Sequence, residues 1–300
     1  MRILLTGANG LLGQHILARV AAHPAHEWIA TGKGPCRFSC NEPIVYESLD
    51  ITDQEAVQEL WNRYRPDAII HAAAMTHVDA CEQQKAACWQ INVEGTHHLI
   101  EAARATGSFF LLVSTDFIFN GEAGPYREED VPDPVNYYGL SKLCAEQLVR
   151  ASGLPWAIAR TVLVYGNIPG REKSNIVHWI VQQLQQGHSI RMVDDQWRTP
   201  TWAADLAEGC WQIVSQQACG VFHLAGPDML TPYAMAQQIA EVWHLPAKLI
   251  QPVNSLSFQQ PARRPPRTGL IIQKAIQQLH YQPHAFTESL HIIHKQLNQT

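Results

Sequence analysis

The chain opens with Arg2-Ile-Leu-Leu-Thr-Gly7-Ala-Asn-Gly10-Leu-Leu-Gly13, an apolar run followed by three evenly spaced glycines. A helical pattern starts at Leu11, so the glycines lie between a predicted strand and a predicted helix. Gly7 permits a tight turn, Gly10 lets backbone amides approach a diphosphate, and Gly13 lets the helix pack on the strand. The order predicts a dinucleotide site with the cofactor-binding residues Gly7, Asn9, Gly10, Leu11, Leu12 and Gly13.

Beyond this turn, short apolar runs alternate with helical patterns over the first 160 residues. Near-continuous runs such as Phe109-Phe-Leu-Leu-Val are typical of strands covered on both faces. The alternation predicts an α/β fold with a doubly wound parallel sheet of the Rossmann type. The predicted strands are Arg2–Thr6, Trp28–Thr31, Ala68–His71, Phe109–Ser114 and Trp156–Arg160, and the predicted helices are Leu11–Ala22, Asp53–Tyr64, Gln83–Ala105 and Tyr138–Ala151.

The alternation becomes less regular after Arg160, and a Pro- and Arg-rich segment follows at 261–267. This change predicts two regions. Residues 1–160 form a dinucleotide-binding domain, and residues 161–300 form mostly a smaller C-terminal lobe that binds substrate. We expect residues 200–226 to pack back onto the first domain.

The composition excludes several classes of protein. The 300 residues carry 22 basic and 27 acidic side chains, a net charge of −5, which provides no basic surface for nucleic acid. No apolar run reaches the roughly 20 residues that span a bilayer. The seven cysteines form no CxxC pair, which favours reduced thiols over a disulfide framework. We therefore expect a cytoplasmic protein without nucleic-acid or membrane partners.

The end of the second predicted strand bears on the choice of cofactor. NAD-preferring proteins place Asp or Glu there to bind the ribose 2′-hydroxyl, whereas this chain has Gly32 and Lys33, followed by Arg37. Cations without a carboxylate favour a 2′-phosphate, which predicts NADPH, with NADH as the alternative. The other interpretation is that Lys33 and Arg37 are ordinary solvated charges of a loop.

Tyr138 and Lys142 are four residues apart in a predicted helix and therefore share one face. A fixed cation favours phenolate, so we expect Lys142 to lower the pKa of Tyr138 and to make it a better acid or base near neutral pH. Ser114-Thr115-Asp116 ends a predicted central strand, at the sheet edge where open α/β sheets bind ligands. Together these residues predict a catalytic site.

These motifs resemble the extended short-chain dehydrogenase/reductase superfamily and, within it, the dTDP-4-dehydrorhamnose reductase family. The resemblance extends over nearly the whole chain. The segments that carry it are Gly7–Gly13, 49–51, 71–82, 91–93, 114–121, Tyr138–Lys142, 160–161, 195–196 and 200–201.

The resemblance implies that Thr115 hydrogen-bonds the substrate carbonyl, that Tyr138 donates the proton and that Lys142 also holds the nicotinamide ribose. The further cofactor-binding residues that it implies are Asp50, Ile51, Ala72, Ala73, Ala74 and Asn92, the last as a support of the active site. The substrate-binding residues that we predict are Thr76, Val78, Asp79, Thr115, Asp116, Trp197 and Arg198.

Some positions depart from the family pattern. Rhamnose-forming members carry Trp where this chain has Leu163, and Trp197 and Arg198 are bulkier than the family's usual residue, so the sugar stays open. The segment Arg263–Arg267 is either a solvated charge cluster or a clamp for a diphosphate. Some members bind Mg²⁺ through a Glu where this chain has His15, so we predict no metal site.

The leading prediction is an NADPH-preferring oxidoreductase that reduces a nucleotide-linked 4-keto sugar, as in dTDP-rhamnose biosynthesis and related carbohydrate biosynthesis. A homodimer is compatible with this prediction. Phe117 after Asp116 argues against a 4,6-dehydratase, which has Glu there. Two alternatives stay open: a nucleotide-sugar epimerase, and a non-catalytic NADP-binding protein that resembles the regulatory subunit of methionine adenosyltransferase.

Overall fold

A computed structural model of the chain describes residues 1–20, 25–38, 44–167 and 175–298. The described strands, in chain order, are β1 (Arg2–Thr6), β2 (Glu27–Gly32), β3 (Ile44–Ser48), β4 (Ala68–His71), β5 (Phe109–Thr115), β6 (Trp156–Thr161), β7 (Val164–Tyr165), β8 (Ile190–Val193), β9 (Thr201–Trp202), β10 (Gly220–His223) and β11 (Ile250–Val253). Seven of these form one sheet in the order β10-β6-β5-β4-β1-β2-β3. Every neighbouring pair in it is parallel, which confirms the predicted fold class.

The predicted strands of the first half are all present, with at most one residue added at an end. The strand β3 was not predicted. It lies at the edge of the sheet, and its residues are partly buried or exposed, with Val45 exposed. An edge strand of this kind lacks the continuous apolar run that marks the central strands.

The described helices are α1 (Leu11–Ala18), α2 (Gln54–Tyr64), α3 (Val78–Gln83), α4 (Lys85–Trp89), α5 (Gly95–Arg104), α6 (Tyr137–Arg150), α7 (Ile176–Gln185), α8 (Ala203–Gln216), α9 (Pro232–Val242), α10 (Gln273–Leu279) and α11 (Phe286–Leu297). The helix α1 ends earlier than the predicted Ala22, which lies outside the described residues. None of the described helices is long and apolar enough to cross a membrane.

The prediction of one long helix over Gln83–Ala105 is wrong. The backbone leaves the helical region at Gln84, with φ −120° and ψ 57°, so α3 and α4 are separate helices. A π-helical turn over Gln90–Glu94 then connects α4 to α5. Such turns are rare and frequent near functional sites. The amphipathic pattern did not reveal them, because it continues through both interruptions.

Apolar cores cover both faces of the sheet. Successive residues of β1 point to opposite faces, so Ile3 and Leu5 pack in one core with α1 and α8, and Leu4 packs in another with α2, α5 and α6. A third core around Tyr165, Met235 and Leu290 joins α7, α9 and α11. The C-terminal half thus has a core of its own, while its strand β10 completes the edge of the main sheet beside β6.

Candidate active site

A cleft of about 1080 Å³ follows the carboxyl-terminal edge of the sheet, at the ends of β1, β2, β4, β5 and β6. The strand order reverses between β1 and β4, which is where open α/β sheets bind ligands. The predicted site residues that line this cleft are Gly7, Asn9, Gly10, Leu11, Leu12, Gly13, Lys33, Arg37, Asp50, Ile51, Ala72, Ala73, Ala74, Thr76, Val78, Thr115, Asp116, Tyr138, Lys142 and Arg198. Asp79, Asn92 and Trp197 lie outside its described wall.

The glycine turn forms one end of the cleft from backbone alone. Gly7 has a φ of 74°, and a Cβ on Gly13 would lie 2.6 Å from Ala8 Cα. Helix α1 starts after Gly10 and has no side-chain cap, so the amides of its first turn are open to a ligand. Backbone amides at a helix N-terminus fit the diphosphate of a dinucleotide.

Ser114, at the end of β5, also lines the cleft, and the sequence analysis placed it in the catalytic motif without giving it a role. Its hydroxyl is buried and has no hydrogen-bond partner among the described residues. Buried polar groups are nearly always satisfied, so this hydroxyl suits a ligand that fills the cleft. The signal in the sequence was its place directly before Thr115.

The loop after β2 brings two cations to the cleft. Lys33 Nζ lies 2.7 Å from Asp50 Oδ2, and this ammonium lowers the pKa of the carboxyl group. The backbone amide of Arg37 donates to Asn9 Oδ1 at 2.9 Å, and Asn9 Nδ2 donates to the hydroxyl of Tyr46 at 2.9 Å. Asn9 therefore joins the glycine turn to this loop. Tyr46 was missed because it belongs to the unpredicted strand β3.

Helix α6 carries the predicted acid and its cation. Asn136 Oδ1 accepts from the amide of Gly139 at 2.8 Å and caps the helix directly before Tyr138. A Cβ on Gly139 would lie 2.9 Å from the carbonyl carbon of Phe117, so α6 approaches the end of β5 closely here. Tyr138 and Lys142 thereby reach the cleft wall together with Thr115.

The ionisation of Tyr138 differs from the prediction. Burial raises the pKa of its phenol above the usual value, the charge of Asp116 raises it further, and an interaction with the hydroxyl of Thr115 opposes this in part. The expected lowering of the pKa by Lys142 is wrong, because removal of the phenol from water dominates. A protonated phenol at neutral pH is the form that can act as an acid.

Lys142 is buried on the same face of α6. Burial lowers the pKa of its ammonium to about 8, and the carboxylate of Glu146 opposes that shift. The described residues offer Nζ neither a hydrogen bond nor an ion pair. Its N–H groups are therefore available to hydroxyl groups of a molecule in the cleft, such as those of a ribose.

Asn92 does not line the cleft itself, so it would act as a support of the site and not through contact with the cofactor. Its amide is 1% exposed, Oδ1 accepts from the amide of Met75 at 2.8 Å, and Nδ2 donates to Ser141 Oγ at 3.0 Å. Ser141 Oγ donates in turn to the carbonyl of Tyr138 at 2.7 Å. Asn92, on the π-helical turn, thus connects the loop after β4 to helix α6.

The carboxylate of Asp79 binds the segment around Arg264 and does not line the cleft. Its two oxygens accept from Nη1 and Nη2 of Arg264, both at 2.7 Å, and Oδ1 also accepts from the amide of Ala262 at 3.1 Å. We name residues 262–268 the strap. Asp79 therefore fastens the strap to α3, whereas the resemblance had implied a contact with the substrate. Arg263 and Arg267 are exposed and lie outside the described cleft wall.

The predicted pair Trp197 and Arg198 separates in the structure. The Trp197 side chain is 43% exposed and lies outside the described cleft wall, so its prediction as a substrate contact is not supported. Arg198 is buried on the wall, and its guanidinium donates to the carbonyl groups of Pro265 at 2.7 Å and Pro266 at 3.2 Å. The guanidinium therefore fastens the strap as well.

Leu163 reaches the cleft in an unusual backbone conformation. Its φ is 36°, in the left-handed region that non-glycine residues rarely adopt, and it is 37% exposed. Strained residues are concentrated at ligand sites. The sequence marked this position as a departure from the family, but it did not reveal the strain.

No cluster of metal-ligating side chains occurs within the part of the chain that the structure describes.

Known proteins that resemble this chain include a family model, curated relatives and solved structures. The family model described as "RmlD substrate binding domain" matches residues 1–299. Methionine adenosyltransferase 2 subunit beta of Pongo abelii is 33% identical over 268 residues, which cover 87% of this chain and 78% of that protein.

The solved structures include the dTDP-4-dehydrorhamnose reductase of Clostridium acetobutylicum. It has a TM-score of 0.86 and 30% identity, with 99% of this chain and 100% of that chain covered. The dTDP-4-dehydrorhamnose reductase of Bacillus anthracis, solved in complex with NADP, has a TM-score of 0.84 and 25% identity over 98% of this chain and 99% of that chain.

Proposed function

The chain belongs to the RmlD substrate binding domain family, and from that premise we propose that it is an NADPH-preferring reductase of a 4-keto sugar attached to a nucleotide. Two solved relatives that cover 99% and 98% of the chain are dTDP-4-dehydrorhamnose reductases, which supports an oxidoreductase. The observation that carries the proposal is the meeting of Thr115, Tyr138 and Lys142 with the glycine turn in one cleft.

The chemistry follows from the groups on the cleft wall. A bound nicotinamide would supply a hydride to the carbonyl carbon of the sugar. The negative charge that develops on the carbonyl oxygen needs a donor at that atom, and the protonated phenol of Tyr138 provides it. Lys142, with its free N–H groups, would hold the ribose beside Tyr138, and the phenolate left behind would regain a proton from solvent.

The cofactor preference rests on the loop after β2. The strand ends at Gly32 without a carboxylate, and Lys33 and Arg37 line the adjoining cleft wall. Two cations at this position favour the 2′-phosphate of NADPH over the 2′-hydroxyl of NADH. The relative from B. anthracis that is solved with NADP agrees with this preference.

We also propose that the chain consists of a cofactor-binding region and a substrate-binding region that meet near residue 160. Residues 1–160 would hold the cofactor and the catalytic side chains. Residues 161–300 would mainly bind the sugar nucleotide, with 200–226 returning to the first domain. The separate core of α7, α9 and α11 and the pairing of β10 with β6 support this division.

The test is the oxidation of NADPH in the presence of a panel of nucleotide-linked 4-keto sugars. We expect turnover with at least one sugar, and a fall in kcat of roughly 10²–10⁴-fold for Tyr138→Phe because the proton donor is lost. Tyr137→Phe is the matched control, since Tyr137 lies outside the described cleft wall. Wild-type turnover by Tyr138→Phe would contradict the proposal.

The second candidate is a regulatory subunit, which the similarity to methionine adenosyltransferase 2 subunit beta favours. It predicts NADPH binding without turnover of any sugar in the panel. A nucleotide-sugar epimerase predicts instead that the purified protein retains tightly bound NAD. The absorbance of the purified protein and the panel assay together separate the three functions.

A further inference from the structure

His71 ends strand β4 directly before Ala72, the first of three alanines on the cleft wall. Its imidazole is 1% exposed and lies outside the described cleft wall. Buried polar groups need hydrogen-bond partners, and both nitrogens of this ring have one. The ring therefore connects two elements of the fold from a position directly behind the proposed cofactor site.

The partner on each side of the ring is a threonine that is 0% exposed. Nδ1 of His71 lies 2.8 Å from Oγ1 of Thr6, at the end of β1 and directly before the glycine turn. Nε2 of His71 lies 3.0 Å from Oγ1 of Thr96, in the first turn of α5. The two threonines thus hold the ring between the strand that leads into the glycine turn and the helix that follows the π-helical turn.

The other hydrogen bonds of these threonines decide where the protons lie. Thr96 Oγ1 donates to the carbonyl oxygen of Asn92 at 2.7 Å, since a carbonyl can only accept. The single hydroxyl proton of Thr96 is then used, so Thr96 can only accept from the ring, and Nε2 must carry the hydrogen. A neutral imidazole has one N–H group, so Nδ1 accepts the hydroxyl proton of Thr6.

The last bond of this chain reaches the cleft wall. The backbone amide of Ala73 donates to Thr6 Oγ1 at 3.2 Å, which this oxygen can accept while its proton points to the imidazole. The bonds from amide to hydroxyl, imidazole, second hydroxyl and carbonyl therefore all run in one direction. Asn92, where they end, also binds the backbone of Met75 through its side chain. Residues 73–75 are thus held at both ends of one chain of hydrogen bonds.

The held segment belongs to the cofactor cleft. Ala72, Ala73 and Ala74 line it together with the glycine turn. A Cβ on Gly7 would lie 2.8 Å from the amide nitrogen of Ala73, so this peptide and the turn are in close contact. The same amide donates to Thr6. A shift of this peptide would therefore change the wall that a dinucleotide meets beside the backbone cradle for its diphosphate.

This order of protons requires a neutral ring. A protonated ring would have an N–H group on both sides, and the hydroxyl proton of Thr6 would lose its acceptor. Burial lowers the pKa of His71 to about 3, and the charge of Lys142 on α6 contributes to the lowering. From β5 the ring is faced by the apolar ring of Phe110. His71 is therefore neutral at physiological pH.

We propose that His71, as the neutral tautomer with its proton on Nε2, is a positioning residue that fixes the peptide of Ala73 against the glycine turn and so shapes the wall on which NADPH binds. The bond from Thr96 to the carbonyl of Asn92 sets the tautomer, and the tautomer sets the direction of the Thr6 hydroxyl. This role rests on the proposed function, because it takes the nicotinamide cofactor as the occupant of the cleft.

The first experiment tests the proton order in the wild-type protein. Nitrogen-15 NMR of histidine-labelled protein distinguishes protonated from bare ring nitrogens. The signals of His71 are assigned by their loss in His71→Asn, or by the contact of the ring with Phe110. We expect one protonated nitrogen, Nε2, and no titration between about pH 5 and 8, where unperturbed histidines change charge. A proton on Nδ1, or a charged ring at neutral pH, would overturn the proposal.

The second experiment measures NADPH affinity by fluorescence titration in full-length variants. Thr6→Val removes the hydroxyl that joins Ala73 to His71 and keeps the shape, whereas Thr6→Ser keeps the hydroxyl. Ser108→Ala is the matched control, because it removes a buried hydroxyl that donates to the carbonyl of Pro66, before the start of β5. Ser108 lies outside the described cleft wall.

We expect Thr6→Val to weaken NADPH binding roughly five- to tenfold, the size of effect that one buried hydrogen bond can have. Thr6→Ser and Ser108→Ala should both stay within about twofold of the wild type, since neither breaks the chain. A loss of stability alone would lower the unfolding temperature of Thr6→Val and leave its NADPH affinity unchanged. That result, or an equal loss of affinity in Ser108→Ala, would refute the role of His71.

A failure of the proposed function gives another result. If the wild-type protein binds neither NADPH nor NADH, the proposed cofactor is wrong, and the role of His71 in binding it is refuted as well. If NADPH binds and the variants do not differ, only the role of His71 is refuted. The NMR spectra need no ligand, so they decide the proton order in either case.

Discussion

The two ends of the cleft are built in different ways. The cofactor end is built around the backbone of one short stretch, Gly7–Gly13, in which a Cβ on Gly7 or on Gly13 would collide with neighbouring backbone atoms. The other end, which we propose binds the substrate, is held together by side-chain bonds between residues that are far apart in sequence. Asp79 and Arg264 are 185 residues apart, and Asp116 and Thr268 are 152 residues apart.

The difference suggests which part of the cleft is common to proteins with this fold and which part can vary among them: the backbone turn is common, and the polar side-chain pairs can vary. A backbone cradle binds a diphosphate whichever side chains surround it, so it suits a cofactor shared by many enzymes. The substrate end depends on individual polar pairs, and the exchange of one residue changes its shape or charge. We therefore expect variants at the two ends to affect different ligands.

The largest effect should come from Gly13→Ala. The added Cβ would lie 2.6 Å from Ala8 Cα, a backbone atom that cannot move aside, so we expect a loss of about 3 kcal/mol in the free energy of unfolding. The affinity for NADPH should fall more than tenfold. Thermal unfolding and NADPH fluorescence measure the two effects.

Gly107→Ala is the control for that variant. Gly107 has a positive φ, 66°, which Gly13 does not, but a Cβ on Gly107 meets no atom within 4 Å. It should cost only the left-handed backbone, roughly 1–2 kcal/mol, and leave NADPH affinity unchanged. Equal NADPH affinity in Gly13→Ala and wild type would show that the turn does not hold the cofactor.

An intermediate effect is expected for Asp79→Asn at the substrate end. The amide cannot replace the bidentate bond to Arg264, so the strap loosens and the KM for the sugar nucleotide should rise about tenfold. NADPH affinity should stay within twofold of the wild type. Steady-state kinetics and fluorescence titration separate these quantities.

Glu27→Gln provides the comparison, because it removes one carboxylate from the exposed pair Arg2–Glu27, away from the cleft. Exposed pairs of this type contribute little to stability. If Asp79→Asn lowered the affinities for NADPH and for substrate by similar factors, the idea that the two ends of the cleft act on different ligands would be wrong.

The smallest effect should be that of the double variant Lys33→Ala with Arg37→Ala. The Lys33 side chain is 82% exposed, and salt screens such charges, so we expect only a three- to tenfold fall in the ratio of kcat/KM for NADPH to that for NADH. Lys85→Ala, which removes an exposed cation outside the described cleft wall, should leave the ratio unchanged. An unaltered ratio in the double variant would assign cofactor choice to other residues.

Most of the cofactor end could be predicted from the sequence, because its signals are local. The glycine spacing, the apolar strands and the four-residue spacing of Tyr138 and Lys142 each arise within one turn or element. The strand β3 and its Tyr46 were missed, because a half-exposed edge strand lacks the continuous apolar run that marks the central strands.

The substrate end could be predicted only in part. The resemblance marked Asp79, Asp116 and Arg198 as important, but their partners lie on the strap, and no local pattern connects them. The pKa of Tyr138 was predicted in the wrong direction for a similar reason. The spacing to Lys142 was visible in the sequence, whereas the burial of the phenol depends on the whole fold.

The bonds of the strap also affect the order in which parts of the chain can fold during synthesis. The glycine turn leaves the ribosome about 250 residues before Arg264 and Thr268. Domains generally fold from the N-terminus as they are made, and long-range contacts form late. A nascent chain would thus be able to form its glycine turn before it forms the bonds of the strap.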